Sequence, residues 1–324
     1  MKAVLCKTFD GPQSLDVADL PDPEPGPGEV LMRVRAVAVN FFDTLIIRNL
    51  YQYKPDLPFS PCGEFAGVVE KTGPGVAGFV AGDRALAYTG WGACREKIAV
   101  PADALVAIPD DVSDPVAAGL SVTYGTAIHA LDDRAGLGPG QTVAVLGASG
   151  GAGLAAIEIA KRLGARVIAV ASSPEKLALC GSHGADDLLD YRASDLKKTL
   201  KAMTDGKGVD VVYDCVGGAA SEAALRATAW GGRLLVIGFA GGEVAKIPLN
   251  LVLLKGCAIV GVFWGEFIRR NPTAHRANTR KVLEWCRSGE LRPHIERTFG
   301  LEEAGAAIAM VERREARGKI VVTL

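Results

Sequence analysis

The chain has 324 residues, of which 49% are hydrophobic and 23% charged, and its formal net charge is −1. That length sets a prior of two domains, and that apolar fraction supplies sizeable cores in an otherwise ordinary soluble composition. The near-neutral balance removes the electrostatic case for a nucleic-acid or anionic-membrane partner.

The first residues, Met1 to Lys7, read as a strand without the long apolar stretch of a signal peptide. Residues 1–120 read as mostly β. Val30 to Val39 alternates apolar and polar residues over part of its length, and Pro and Gly clusters break the region at Pro21–Gly28, Pro55–Pro61 and Gly73–Gly78. Gly82-Asp83-Arg84 reads as a tight turn before another strand, and Asp114–Leu131 turns helical and rich in Ala and Gly. From about 140 the rhythm changes. Strand-like runs fall at 142–147, 166–171, 209–214, 233–238 and 257–263, with helical patterns at 151–163, 174–183, 194–204 and 219–229. Strands alternating with helices imply parallel βαβ units and a doubly wound sheet, so the fold class is α/β. Ser173 before Pro174 and Ser194 before Asp195 are chemically sensible helix starts. A helix over about 273–288, then strand, helix and a closing strand at Lys319–Leu324, is too small for a domain and is expected to return to the first one.

The run Thr142 to Leu146 stops at Gly147-Ala148-Ser149-Gly150-Gly151-Ala152-Gly153, after which Leu154, Ile157, Ala160 and Leu163 follow at helical spacing. Strand, tight turn and helix place bare backbone N–H groups and a helix N-terminus where a pyrophosphate can sit. Gly150 and Gly153 keep the last two glycines of the dinucleotide fingerprint, and Ala148 stands where its first would be. Such a turn also serves strand-to-helix packing. The second strand, Arg166–Ala171, runs into Ser172-Ser173-Pro174-Glu175-Lys176 with no acid at its end. A carboxylate there would bind the ribose hydroxyls of NAD and repel a 2′-phosphate. A hydroxyl and an ammonium attract that phosphate, which argues for NADPH; the alternative is that Ser173 caps the helix and Lys176 is a surface charge.

Seven cysteines lie at 6, 62, 94, 180, 215, 257 and 286, with no C-x-x-C pair. This spacing fits reduced thiols in a cytoplasmic protein. The four histidines (129, 183, 275, 294) have no His or Cys partner at ligand spacing, and one Cys62–Glu64 pair is not a metal site, so none is expected.

The chain resembles the medium-chain dehydrogenase/reductase superfamily over essentially its whole length, and within it the zinc-free quinone oxidoreductase, zeta-crystallin-like branch. The markers are Asn40-Phe41-Phe42-Asp43, the stretch Pro58 to Gly67, Gly82-Asp83-Arg84, Ala117-Ala118 leading to Thr126-Ala127, Gly150 to Gly153, Asp214-Cys215-Val216-Gly217 and Gly318 to Val321. The resemblance implies a Rossmann NADPH-binding domain at 124–264 and a mostly β, GroES-like catalytic domain from 1–123 and 265–324. Zinc-dependent members carry Cys where Asn40 stands and His where Gly63 stands, and a four-cysteine cluster where Cys94 is alone, so a metal-free enzyme is implied.

Carried over by position, Asn40 and Thr126 would approach the nicotinamide. Gly150, Gly151 and Ala152 would meet the pyrophosphate, and Ser172, Lys176 and Tyr191 the 2′-phosphate. Val216, Phe239 and Phe263 would line the path between, with Trp264 as the alternative to Phe263, and Lys319 would close it. Asn40 is the expected orienting group. Tyr51 matches a proton-donating Tyr of the superfamily's enoyl-thioester reductases and is the side-chain candidate for the proton; it also reads as a loop aromatic. Leu45 stands where several bacterial quinone reductases carry Tyr, which weakens a quinone preference. The expected activity is hydride transfer from NADPH to a quinone or similar activated alkene. The alternatives are an enoyl-thioester or 2-enal reductase, and a non-catalytic NADPH-binding sensor or structural protein. An apolar edge at Ile259–Val262 points to a homodimer, because relatives pair such edges.

Overall fold

The computed structural model describes residues 1–324, which divide into two compact units. The first comprises Met1–Val122, Ile268–Gly289 and Pro293–Leu324; the second comprises Thr123–Phe267 and Glu290–Arg292. The chain thus re-enters the first unit at Ile268, and a short piece at 290–292 belongs with the second.

The first unit is built on a seven-stranded sheet. Its spatial order is Ile295–Gly300, Lys319–Thr323, Glu29–Val39, Glu64–Thr72, Arg84–Tyr88 and Val106–Ala107, and Lys97–Pro101 pairs separately with Glu29–Val39. The long strand Glu29–Val39 is buried at most positions, with only Arg33 and Arg35 exposed, because it has neighbours on both sides. Its Met32 and Val37 share a core with Val4, Phe65, Ala85, Ile308 and Val322. The closing strand pairs antiparallel with it, Ile320 opposite Val39. That register carries Lys319 to the end of Glu29–Val39, where Asn40 begins the next element.

The second unit holds six parallel strands in the order Asp187–Asp190, Arg166–Ala171, Thr142–Leu146, Val209–Asp214, Thr228–Val236, Ala258–Gly261. Numbered within the unit this is 3-2-1-4-5-6, the doubly wound dinucleotide-binding order. The inner strands are mostly apolar, since a parallel sheet is covered on both faces; Val143, Val145, Val211 and Tyr213 are all fully buried.

Several elements differ from the sequence reading for local reasons. Asp187–Asp190 is a strand that its mixed polarity conceals. The strand expected at 233–238 begins at Thr228, because Gly231, at φ +72°, lets the chain bulge and keep pairing. The helix at Leu196–Ala202 is capped by the Asp195 carboxylate, which accepts from Lys198 N at 2.9 Å, and Ser194 turns back to Asp190 O. Asp114–Leu131 splits at Gly119 into two α segments and runs on into a π-helical turn, His129–Arg134. No helix is long and apolar enough to cross a membrane.

Candidate functional site

In the first unit the chemistry gathers where three elements meet. Asn40 caps the helix Phe41–Ile46, and Asp43 reaches back to accept from Asn40 N at 2.7 Å. Glu64 opens its strand fully buried, and Lys319 opens the closing strand at 4% exposure. Lys319 Nζ donates to Glu64 Oε1 at 2.6 Å, to Asn40 Oδ1 at 2.8 Å and to Val39 O at 3.1 Å. Asn40 Nδ2 donates to Glu64 Oε1 at 2.8 Å, and Val122 N donates to Glu64 Oε2 at 2.8 Å. A buried ion pair is tolerated when its remaining donors and acceptors are satisfied in this way. Gly119 leaves room for the lysine stem; a Cβ there would lie 3.3 Å from Lys319 Cγ.

Asp43 behaves differently. It is buried, its Oδ1 has no partner, and burial pushes its carboxyl up to about 8. Glu64 adds to that rise, while the bond from Asn40 N and the Lys319 charge oppose it. Beside this network stands an aromatic wall. Tyr51 stacks on Phe42 with ring centroids 5.5 Å apart, and Tyr53, Tyr88 and Trp91 extend it. Burial raises the Tyr51 phenol to about 12, so it stays protonated across the physiological range.

No three His, Cys, Asp or Glu side chains converge as a metal set. Each histidine is engaged elsewhere: His129 with Asp133, His183 with Glu158, His294 with Glu296 and His275 with Thr279. Cys94 is not isolated in space, since its hydrogen bond with Cys62, together with burial, holds the Cys62 thiol well above the ordinary range. At Gly63 an added Cβ would lie 2.5 Å from both the carbonyl carbon and oxygen of Gly90, so an imidazole cannot be seated there on this backbone.

In the second unit the start of the glycine turn and five of the expected cofactor residues fall in one row. Gly147, Ser172, Tyr191, Val216, Phe239 and Phe263 each lie within three residues after the carboxyl end of one of the six parallel strands. That edge is where open α/β sheets bind ligands, and the strand order reverses between Thr142–Leu146 and Val209–Asp214. Gly147 adopts φ +71°, and a Cβ on Gly153 would lie 2.4 Å from Gly147 O, so both glycines are demanded by the backbone. Gly150 is not: its φ is −79°, and a Cβ would meet only Gly147 O at 3.6 Å. It starts the twelve-residue helix Gly151–Arg162 with no side-chain cap, so the N–H groups of Gly151 and Ala152 face outward at the positive end of the helix dipole. An uncapped helix end beside a glycine that folding does not require fits a pyrophosphate.

Asp214 fixes the neighbouring turn. Its Oδ1 accepts from Val216 N at 2.8 Å and Gly217 N at 3.0 Å, and its Oδ2 accepts from Ser221 Oγ. Val216 then packs over Gly147, and Phe239 lies against Gly217. Asp190 pairs with Ala171, and Tyr191 N donates to Ala171 O, so Tyr191 emerges beside Ser172. Lys176 Nζ donates to Ser172 Oγ at 3.4 Å, while Ser173 caps the helix through Lys176 N. Ser172, Lys176 and Tyr191 are therefore brought together beyond Arg166–Ala171, a strand that itself ends without an acid, while the carboxylate of Asp190, which ends the adjacent strand, accepts from Arg192 N at 2.8 Å. Phe263 is half exposed, whereas Trp264 is buried against Gly125, next to the largely buried Thr126; Phe263 is the one left accessible.

Lys319, expected to close the cofactor path, has its partners within the first unit. Its three protons are consumed by Val39, Asn40 and Glu64. The anchoring part of Glu64 and the buried carboxyl of Asp43 were not singled out in the sequence. The only signal was a lysine at the start of an apolar strand, a charge whose burial needs a partner.

The family described as alcohol dehydrogenase GroES-like domain matches residues 26–110, and that described as zinc-binding dehydrogenase matches residues 151–286. Quinone oxidoreductase-like protein 2 of Rattus norvegicus is 38% identical over 325 residues, covering 100% of this chain and 92% of its own. A quinone oxidoreductase of Pseudomonas aeruginosa is 34% identical over 322 residues, covering 99% of each. The solved quinone oxidoreductase of Thermus thermophilus, known also in complex with NADPH, aligns over 100% of both chains with a TM-score of 0.85 and 35% identity.

Proposed function

The chain belongs to the medium-chain dehydrogenase/reductase superfamily, among its quinone oxidoreductase-like members, and from that premise we propose that it is an NADPH-dependent, metal-free reductase of quinones or similarly activated alkenes. The observation that carries the cofactor choice is the meeting of Ser172, Lys176 and Tyr191 beyond a strand that ends without an acid. The uncapped helix behind Gly150 supports the pyrophosphate, with Val216 and Phe239 packing beside it. Metal independence is supported by Asn40 in place of a thiolate and by the closed space at Gly63.

NADPH, when bound, would supply the hydride that with one proton turns a quinone into a hydroquinone. The protein's part is to orient and to shield. In the first unit Asn40 would orient an oxygen or amide and the Phe42–Tyr51 stack would offer a flat face to a flat acceptor; in the second, Thr126 and Phe263 would hold the nicotinamide. The second reading, an enoyl-thioester or enal reductase, is favoured by the neutral phenol of Tyr51, an O–H that can supply the proton.

The test is NADPH oxidation with a quinone, an enal and a crotonyl thioester in turn. Fastest turnover with the quinone is expected. Faster thioester reduction, abolished by Tyr51→Phe, moves the assignment to the second reading, and tight NADPH binding without turnover of any acceptor would leave a sensor. Lys176→Ala should weaken NADPH several-fold and NADH hardly at all; equal effects on both would remove the 2′-phosphate argument. We further propose a homodimer, supported by the outer strand Ala258–Gly261, which has a neighbour on one side only, and by exposed Leu249, Leu253 and Ile259 nearby in the chain. With its free thiols the chain is assigned to the cytoplasm.

A further inference from the structure

A side-chain amide has two chemically opposite ends, and what it offers a ligand depends on which way it is turned. Around Asn40 the neighbours leave no choice. An ammonium only donates, so Lys319 Nζ at 2.8 Å must face Oδ1. A carboxylate only accepts, so Glu64 Oε1 at 2.8 Å must face Nδ2. The flipped amide would set N–H against ammonium and oxygen against carboxylate. Both neighbours are themselves immobile. Glu64 is clamped by Val122 N and Lys319 and is fully buried, and Lys319 has spent its three protons. The Asn40 backbone is held by Asp43. One group is left over, the second N–H of Asn40 Nδ2, on a residue with 6% of its surface exposed.

We propose that Lys319 and Glu64 are positioning residues that hold Asn40 as a hydrogen-bond donor, and that this donor serves a carbonyl oxygen of the acceptor. The inference rests on the reductase reading and deepens it. When hydride adds to a quinone, enone or enal, negative charge builds on the carbonyl oxygen. A preoriented N–H in a water-poor place stabilises that charge at no cost of turning during the reaction. An oxygen-facing Asn40 would do the opposite. The buried lysine thus acts at one remove: its charge never meets the acceptor or the cofactor.

The experiment compares the wild-type protein with Asn40→Ala, Lys319→Met and the double variant, using duroquinone and cyclohex-2-enone as acceptors. Asn40→Ala should lower kcat on the order of 100-fold, as loss of one preorganised donor does, and Lys319→Met should lower it roughly tenfold. The double variant should be no slower than Asn40→Ala, because the lysine acts only through the amide. The Kd for NADPH should stay within about threefold throughout, as neither residue is assigned a contact with its phosphates. Because Lys319→Met alone strands a buried carboxylate, Lys319→Met/Glu64→Gln serves as the folded control and should show the same drop in kcat with an undisturbed circular dichroism spectrum.

A second readout is independent of turnover. In protein labelled with ¹⁵N-asparagine, the side-chain signals of Asn40 are those missing from Asn40→Ala. Adding cyclohex-2-enone to the NADP⁺ complex should shift one of its two amide protons. Losses that multiply in the double variant, an NADPH Kd that rises in step with Lys319→Met, or an Asn40 signal unmoved by the enone would each overturn the proposal. A wild-type protein that oxidises no NADPH with either acceptor would defeat the reductase reading, and the amide signal would still decide this one.

Discussion

Asp43 is the residue whose surroundings make the plainest pH prediction. In the unfolded chain its carboxyl titrates near its ordinary 3.8, and in the fold near 8, because burial disfavours the charge. Glu64, Lys319, Tyr51, Tyr88 and Cys62 are the titratable groups that feel it or act on it. The folded state therefore holds a proton that the unfolded state releases. The contribution is fully present below about pH 4 and is lost as pH rises through 8. Asp43→Asn keeps an acceptor for Asn40 N and removes the titration. The variant's unfolding free energy relative to the wild type, read from denaturant melts, should climb between pH 5 and pH 8.5, with a slope approaching about 1.4 kcal/mol per pH unit. Parallel pH profiles of the two proteins would show that Asp43 does not carry the shift.

At the scale of the element, the turn between Leu146 and Gly151 separates what folding needs from what a ligand needs. Gly153→Ala drives a methyl into two backbone carbonyls, 2.4 and 2.5 Å away, and should lower stability by roughly 2 kcal/mol or more in a thermal melt. Gly150→Ala meets nothing closer than 3.6 Å and should melt within a degree or two of the wild type. If Gly150 is there to let a pyrophosphate approach, the same variant should raise the NADPH Kd tenfold or more; unchanged affinity would make this glycine incidental. This turn was also the most legible part of the chain. Apolar runs ending in glycine, and helices opened by Ser173 and Pro174, are written in consecutive residues. Asp187–Asp190 was illegible because two aspartates bracket only two leucines, too short an apolar run to read as a strand. The Lys319–Asn40–Glu64 network was illegible because its members lie 24 to 279 positions apart and meet only through strand register.

For the whole molecule, assembly and ligand binding carry the remaining predictions. Leu249, Leu253 and Leu254 are each 70% exposed or more, an apolar cost that a partner surface would relieve. Ile259→Lys places a charge on the outer strand and should shift the protein from dimer to monomer in sedimentation; a wild-type monomer at micromolar concentration would remove the dimer outright. Saturating NADPH should stabilise either form, by about 2.7 kcal/mol at a hundred times its Kd, and so raise its melting temperature, and NADH at the same concentration should raise it less.

The contact between Gly63 and Gly90 also bears on ancestry. In a lineage that once held a metal, losing the ligand takes one codon, but regaining it from this chain does not. A histidine returned to position 63 would collide with main chain before it could reach any ion, and the fixed ammonium of Lys319 would repel a dication placed near Asn40. Several changes, each useless alone, would have to arrive together. On the proposed metal-free reading, two facing residues without side chains make that state one that a single substitution at position 63 does not reverse.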